Sequence, residues 1–224
     1  IVLSLIAIVF IGLVAMVQTD MKRLIAYSSV AHMGFVTLGI FVIYLLGHSD
    51  AARLGYEGAY VQMISHGFAS AAMFIGFGML YDRMKTRNIS EYGGVASVMP
   101  VFSAFYLLFA MANVALPGTS GFVGEFMVIL SSLQANFWVG VIASLTLIVG
   151  ASYTLLMFKR VFYGPVQHDT VAALKDIGVL DRVLLMILAL FVLVLGLMPN
   201  VLLDNVHASV DHALSLSLAH KGAA

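Results

Sequence analysis

Cysteine is absent from this 224-residue chain, and charged residues make up only 10% of it. The first absence removes disulfides, iron–sulfur ligation and zinc–thiolate sites from its chemistry, without indicating a compartment. The second carries more weight. Soluble domains have about 25% charged and about 45–50% apolar residues, whereas this chain is 62% hydrophobic. Its mean hydropathy is +1.03. A water-soluble globule of that make-up would expose much of its apolar surface. Disordered, collagenous and nucleic-acid-binding classes are excluded as well, which leaves an all-α polytopic membrane protein. Motifs are missing too: there is no H-E-x-x-H, P-loop or G-x-G-x-x-G. The opening Ile1-Val2-Leu3-Ser4-Leu5 has no basic leader. It reads as a fragment beginning inside a transmembrane helix rather than as a signal peptide.

What is present is a series of long apolar runs. A spanning helix needs roughly 20 apolar residues to cross a hydrocarbon core about 30 Å thick. Residues 1–18, 22–46, 58–81, 137–158 and 182–203 meet that requirement. A sixth run, 98–133, would reach roughly 54 Å as one straight helix. It contains Leu116-Pro117-Gly118-Thr119-Ser120-Gly121. Pro117 removes a donor and clashes with the Asn113 carbonyl, while Gly118 and Gly121 tolerate unwinding.

The basic residues decide whether that run crosses once or twice. As one broken span it leaves Lys22, Arg23, Arg83, Lys85, Arg87, Lys159, Arg160, Lys175 and Arg182 on one side. Only Arg53 and Lys221 fall on the other. Two spans would spread the charges almost evenly. Lys/Arg excess marks the cytoplasmic side, so the expectation is about six transmembrane helices, one broken at Pro117-Gly118. Both ends of the chain then face away from the cytoplasm. Residues 1–203 form the bundle, and 204–224 an amphipathic tail lying on the membrane surface or on a partner. Val171, Leu174 and Ile177 suggest an interfacial helical stretch in the second basic loop.

Ionisable groups inside a bilayer are costly and face a bundle interior or a hydrated path. Once loops and flanks are set aside, His32, His66 and Glu125 remain. Ser28 and Ser29 share the face of His32, one turn before it. Gln62, Ser65 and Ser70 lie beside His66, and Glu125 follows the helix break. Any one of these could serve packing alone, a lone histidine bonding a neighbouring carbonyl or Pro117 acting as an inert kink. Together they describe a proton wire of imidazole, carboxylate, hydroxyl and water, since imidazole changes charge near neutral pH. His48, His168, His207, His212 and His220 read as solvated surface. Gly67, Ala69, Ala71, Ala72, Gly76 and Gly78 read as close-packing residues. Two membrane histidines could also be axial haem ligands, although that leaves Glu125 and the break without a role.

Three segments carry a resemblance. Asp20-Met21-Lys22-Arg23-Leu24-Ile25-Ala26-Tyr27-Ser28-Ser29-Val30-Ala31-His32-Met33-Gly34 closely resembles the signature of the antiporter-like membrane subunits of respiratory complex I. Met63-Ile64-Ser65-His66-Gly67 and Leu116 to Phe126 resemble the next two landmarks of that family, in the same order. The resemblance runs over residues 1–203 and implies the second inverted repeat of such a subunit plus a final helix. Glu125 stands where the sister subunits L and N carry a lysine. The resemblance implies that His32 and His66 relay protons along the membrane midplane and that Glu125 serves the periplasmic end of the path. Tyr27, Ser28, Ser29 and Thr119 are water-wire neighbours by spacing. The family's first repeat carries a glutamate–lysine pair and a midplane lysine. This chain has no intramembrane lysine, so it lacks the input half.

The implied function is proton translocation coupled to NADH-to-quinone electron transfer, in a bacterial inner membrane. No cofactor is expected in this chain, with NADH, FMN, iron–sulfur clusters and quinone held by other subunits. Partners would be the other membrane-arm subunits, L and N among them, and the lipid bilayer, with no nucleic acid. The alternatives are a subunit of a stand-alone cation/proton antiporter and a purely structural membrane subunit.

Overall fold

The structure, a computed structural model, describes residues 1–219. His220 and Lys221, both assigned above to the tail, lie outside the described residues. Helix α1 (Val2–Met16) carries a π-helical turn over Ala7–Ile11. It is followed by α2 (Met21–Leu46), α3 (Asp50–Met84) and a short α4 (Val95–Val98). Next come the half-helices α5 (Pro100–Asn113) and α6 (Ser120–Ala135), then α7 (Phe137–Phe162) and the single turn α8 (Asp169–Ala172). Helices α9 (Val179–Leu197) and α10 (Asn200–Ala219) complete the described chain. By length and composition α2, α3, α7 and α9 can each cross a membrane, while α1, α5 and α6 are shorter apolar helices.

Local chemistry sets the ends. The Asp20 carboxylate accepts from Arg23 N, Ser49 Oγ from Ala52 N, and Asn136 Oδ1 from Trp138 N and Val139 N. Each satisfies donors that a helix start leaves orphaned. Helix α5 begins with Pro100, whose missing N–H costs nothing at that position. Its next two N–H groups, of Val101 and Phe102, donate to the Asp176 carboxylate from the loop before α9.

Several boundaries differ from the sequence reading. Helix α3 starts at Asp50 rather than near 58, because the Ser49 cap starts it early and its polar outer residues find partners on α10. The last span ends at Leu197, where Met198-Pro199 interrupts it, and α10 continues from Asn200. The apolar stripe of α10 (Val206, Val210, Leu214) is covered by Ile43, Leu46, Ala52, Tyr56 and Tyr60 of α2 and α3. The tail therefore packs on its own bundle. Val171 and Ile177 are fully buried in the main core, not spread on an interface. Of the small residues on α3, Gly76 lies under the Tyr106 ring, and Ala69 and Ala72 are buried. Gly67 and Gly78 face open space.

The main core runs through α2, α3, α5 and α7 and holds a stack of aromatics, Phe102, Tyr106, Phe158 and Phe162. The basic segments gather at one end. There Asp20 pairs with Asn88 across a β-bridge, Met21 N donates to Arg87 O, and Arg83 meets Asp181 at 3.5 Å. Side by side in the middle stand α2, α3 and α6, the three helices that carry His32, His66 and Glu125.

Candidate functional site

The site begins with the helix break. Helix α5 stops at Asn113, and residues 114–119 turn through two left-handed positions, Ala115 (φ 56°) and Gly118 (φ 92°), before α6 starts at Ser120. Gly118 meets no Cβ penalty in that region, whereas Ala115 adopts it against that penalty. The freed backbone is re-satisfied locally: Leu116 N donates to Met111 O, Thr119 N to Leu116 O, and Thr119 Oγ1 to the same carbonyl at 2.7 Å. Thr119, read above as a wire neighbour, thus belongs to the hydrogen bonding of the break.

Beyond the break, α6 lies tightly on α3. A Cβ added at Gly124 would come within 2.6 Å of the Gln62 backbone nitrogen. That closeness carries Glu125 into the bundle, where it is 2% exposed. Its Oε1 lies 2.6 Å from His32 Nδ1 and accepts from Gln62 Nε2 at 3.0 Å. His32, 3% exposed, has its other ring nitrogen 3.3 Å from the Tyr153 hydroxyl of α7. The His66 ring stands beside that of His32, centroids 5.2 Å apart and tilted 34°. The three ionisable residues singled out in the sequence therefore meet at one place.

A small cavity of about 10 Å³ lies among His32, Gln62, Ser65, His66, Asn113 and Glu125, room for about one water. Gln62 Oε1 and Ser65 Oγ are buried there without a protein partner. Buried polar atoms of that kind call for water. A porphyrin does not fit between rings so close, one of which already has both nitrogens engaged. Among the described residues no cluster of three metal-ligating side chains occurs.

The remaining predicted residues fall around this centre. Ser28 donates to Ile25 O within its own helix. Ser29 reaches across to Ser70 at 3.1 Å, which links α2 and α3 on the basic side of the histidines. Tyr27 is half-buried against the main core. Sequence reasoning missed Tyr153, and also the buried pair in which Asn113 Nδ2 donates to Thr154 Oγ1 at 3.0 Å. Uncharged and single in apolar helices, they carry no signal beyond the adjacency of Tyr153 and Thr154. Glu57 and His207 were assigned to a flank and to the solvated tail. Instead Glu57 is 5% exposed inside α3, with its Oε1 2.6 Å from His207 Nδ1.

Comparisons with known proteins bear on the family and the fold. The family profile described as NADH:quinone oxidoreductase/Mrp antiporter, TM, matches residues 1–150. The chain is 44% identical over 211 residues to NADH-quinone oxidoreductase subunit M of Rhodobacter capsulatus, an alignment covering 94% of this chain and 40% of that protein. It therefore spans less than half the length of that curated relative. Among solved structures, respiratory complex I from Thermus thermophilus with bound NADH contains a chain that superposes with a TM-score of 0.85 at 28% identity. The match covers 96% of this chain and 44% of that one. A chain of the Mrp complex from Dietzia sp. superposes at 0.81 with 18% identity, covering 97% and 48%, and shares the fold.

Proposed function

The chain belongs to the NADH:quinone oxidoreductase/Mrp antiporter transmembrane family, and from that premise we propose that it is the proton-conducting second half of a complex I membrane subunit. The observation that carries the reading is the His32–Glu125 contact at 2.6 Å, buried beside a helix break. A carboxylate and two imidazoles around room for one water can take up, share and pass on a proton without any redox group. Gln62, donating to the same Glu125 oxygen, and Tyr153, at the other ring nitrogen of His32, orient the pair. Backbone unwound at membrane depth is tolerated where it lines protein or a hydrated cavity. The 114–119 turn fits that rule.

Redox energy would arrive through neighbouring membrane-arm subunits, L and N among them, while NADH, FMN, iron–sulfur clusters and quinone are held elsewhere in the complex. The basic end of the bundle would face the cytoplasm of a bacterial cell and the α10 end the periplasm. A stand-alone cation/proton antiporter shares this architecture. The higher identity to a quinone oxidoreductase subunit supports the first reading. Sodium-dependent transport in vesicles lacking any quinone reductase would support the antiporter.

The test is Glu125→Gln in the full-length subunit within the assembled complex, reconstituted in proteoliposomes. Protons moved per NADH oxidised are expected to fall, with assembly intact. An unchanged ratio would overturn the reading.

A further inference from the structure

A second imidazole–carboxylate pair stands at the outer end of the bundle. Glu57 is 5% exposed, yet His207, whose Nδ1 lies 2.6 Å from it, has a half-exposed side chain. The same two atoms meet at the same distance in the interior pair of His32 and Glu125. The two pairs differ in that one is closed off and the other reaches the surface of the chain.

Position along α3 relates them. Gly124 of α6 rests on Gln62, so Glu125 lies at the level of Gln62. Glu57 is five residues further out, about 7.5 Å along the axis, and Arg53 about 6 Å beyond that. Reading outward, α3 therefore carries His66, Gln62 with Glu125, then Glu57 with His207, then Arg53. Arg53 Nε pairs with Asp211 at 2.8 Å, and both of those side chains are about half exposed. The charged and titratable groups gathered around the outer pair are Arg53, Tyr56 and Tyr60 of α3 and Asp211 of α10. His48 and Asp50 lie at the preceding turn, while α2 contributes apolar Ile43 and Leu46 and carries the titratable Tyr44 between them.

Burying a carboxylate is costly, and packing does not require it. Val206, Val210 and Leu214 already dock α10, and the half-exposed Arg53–Asp211 bridge adds little to that. We propose that Glu57 and His207 form a proton-transfer site between the bundle and the outer aqueous side, with α10 supplying the water-facing half. A proton on the Glu57 carboxyl passes to His207 Nδ1. The ring gives up its Nε2 proton to water and Glu57 is left as the carboxylate. Rotation of the half-exposed ring or proton exchange with water restores the Nε2–H tautomer before Glu57 is reprotonated from the bundle. One proton enters the pair and one leaves. The site rests on the reading of the interior as proton-conducting.

The test uses the assembled, reconstituted complex with a pH dye on the α10 side. Glu57→Gln and His207→Gln are expected to slow proton appearance there on the order of tenfold or more and to flatten its dependence on outer pH. Arg53→Ala removes the neighbouring bridge and no proton carrier, so it is expected to leave both unchanged. His207→Ala is expected to regain release when free imidazole is added, because the ring site is reachable from water. Unchanged release in both Gln variants, an equal loss in Arg53→Ala, or no rescue in assembled His207→Ala would overturn the site. If Glu125→Gln blocks transport while the outer variants do not, the outer site fails and the interior reading stands. If Glu125→Gln has no effect, the interior reading fails first.

Discussion

Glu125 makes contacts on two sides, and its neighbours should not weigh equally. Gln62 donates to the same oxygen that His32 approaches, so Gln62→Leu leaves a buried carboxylate short of a donor, a loss of about 1–3 kcal/mol. Proton pumping per electron in the reconstituted complex is expected to fall in that variant. Tyr153→Phe, which frees only one ring nitrogen at 3.3 Å, is expected to cost less. A stopped comparison of the two pumping ratios checks the order. His32, His66 and Glu125 were legible because charge is so scarce that each one inside an apolar run stands out. Tyr153, Asn113 and Thr154 were not, since a neutral polar residue in a membrane helix looks the same whether it bonds its own backbone or reaches a neighbour. Glu57 was lost for a different reason: a charge near the end of an apolar run reads as flank until a partner such as His207 is seen.

Helix identity and order were readable throughout, because each span is a run of apolar residues with caps or basic residues at its ends. The break was readable from proline and glycine together. Partners supplied from distant sequence were not. Asp176 caps α5 from 74 and 75 residues away, and no local pattern announces it. Asp176→Ala is expected to destabilise by about 1 kcal/mol, measured as a lowered midpoint of thermal unfolding in detergent. Gly124→Ala meets backbone rather than a movable side-chain tip. Overpacking of that kind costs about 1–3 kcal/mol, so the variant is expected to lower both thermal stability and pumping, whereas Gly67→Ala, which faces open space, is expected to lower neither.

At the scale of the whole molecule, charge asymmetry predicts an orientation, and the chain offers a clean way to test it. It contains no cysteine, so it adds no background thiol. With cysteine placed at exposed Asp50 or at exposed Lys85, a membrane-impermeant maleimide applied from the periplasmic side is expected to label the first and spare the second. The reverse pattern would invert the topology. The tail was the least legible part at this scale. Its amphipathic spacing was plain, but an apolar stripe does not name what it lies against, and here it lies on α2 and α3.

The contact between Gly124 and Gln62 has a mechanical consequence. Where two helices touch through backbone, no flexible side chain is interposed to take up a displacement, so the spacing of α3 and α6 acts as a hard stop. The carboxylate on one and the amide on the other then share a rigid mount, like two electrodes fixed to one plate. Small adjustments in such a mount are open to what is not bolted down: a side-chain rotation, a proton, a water molecule.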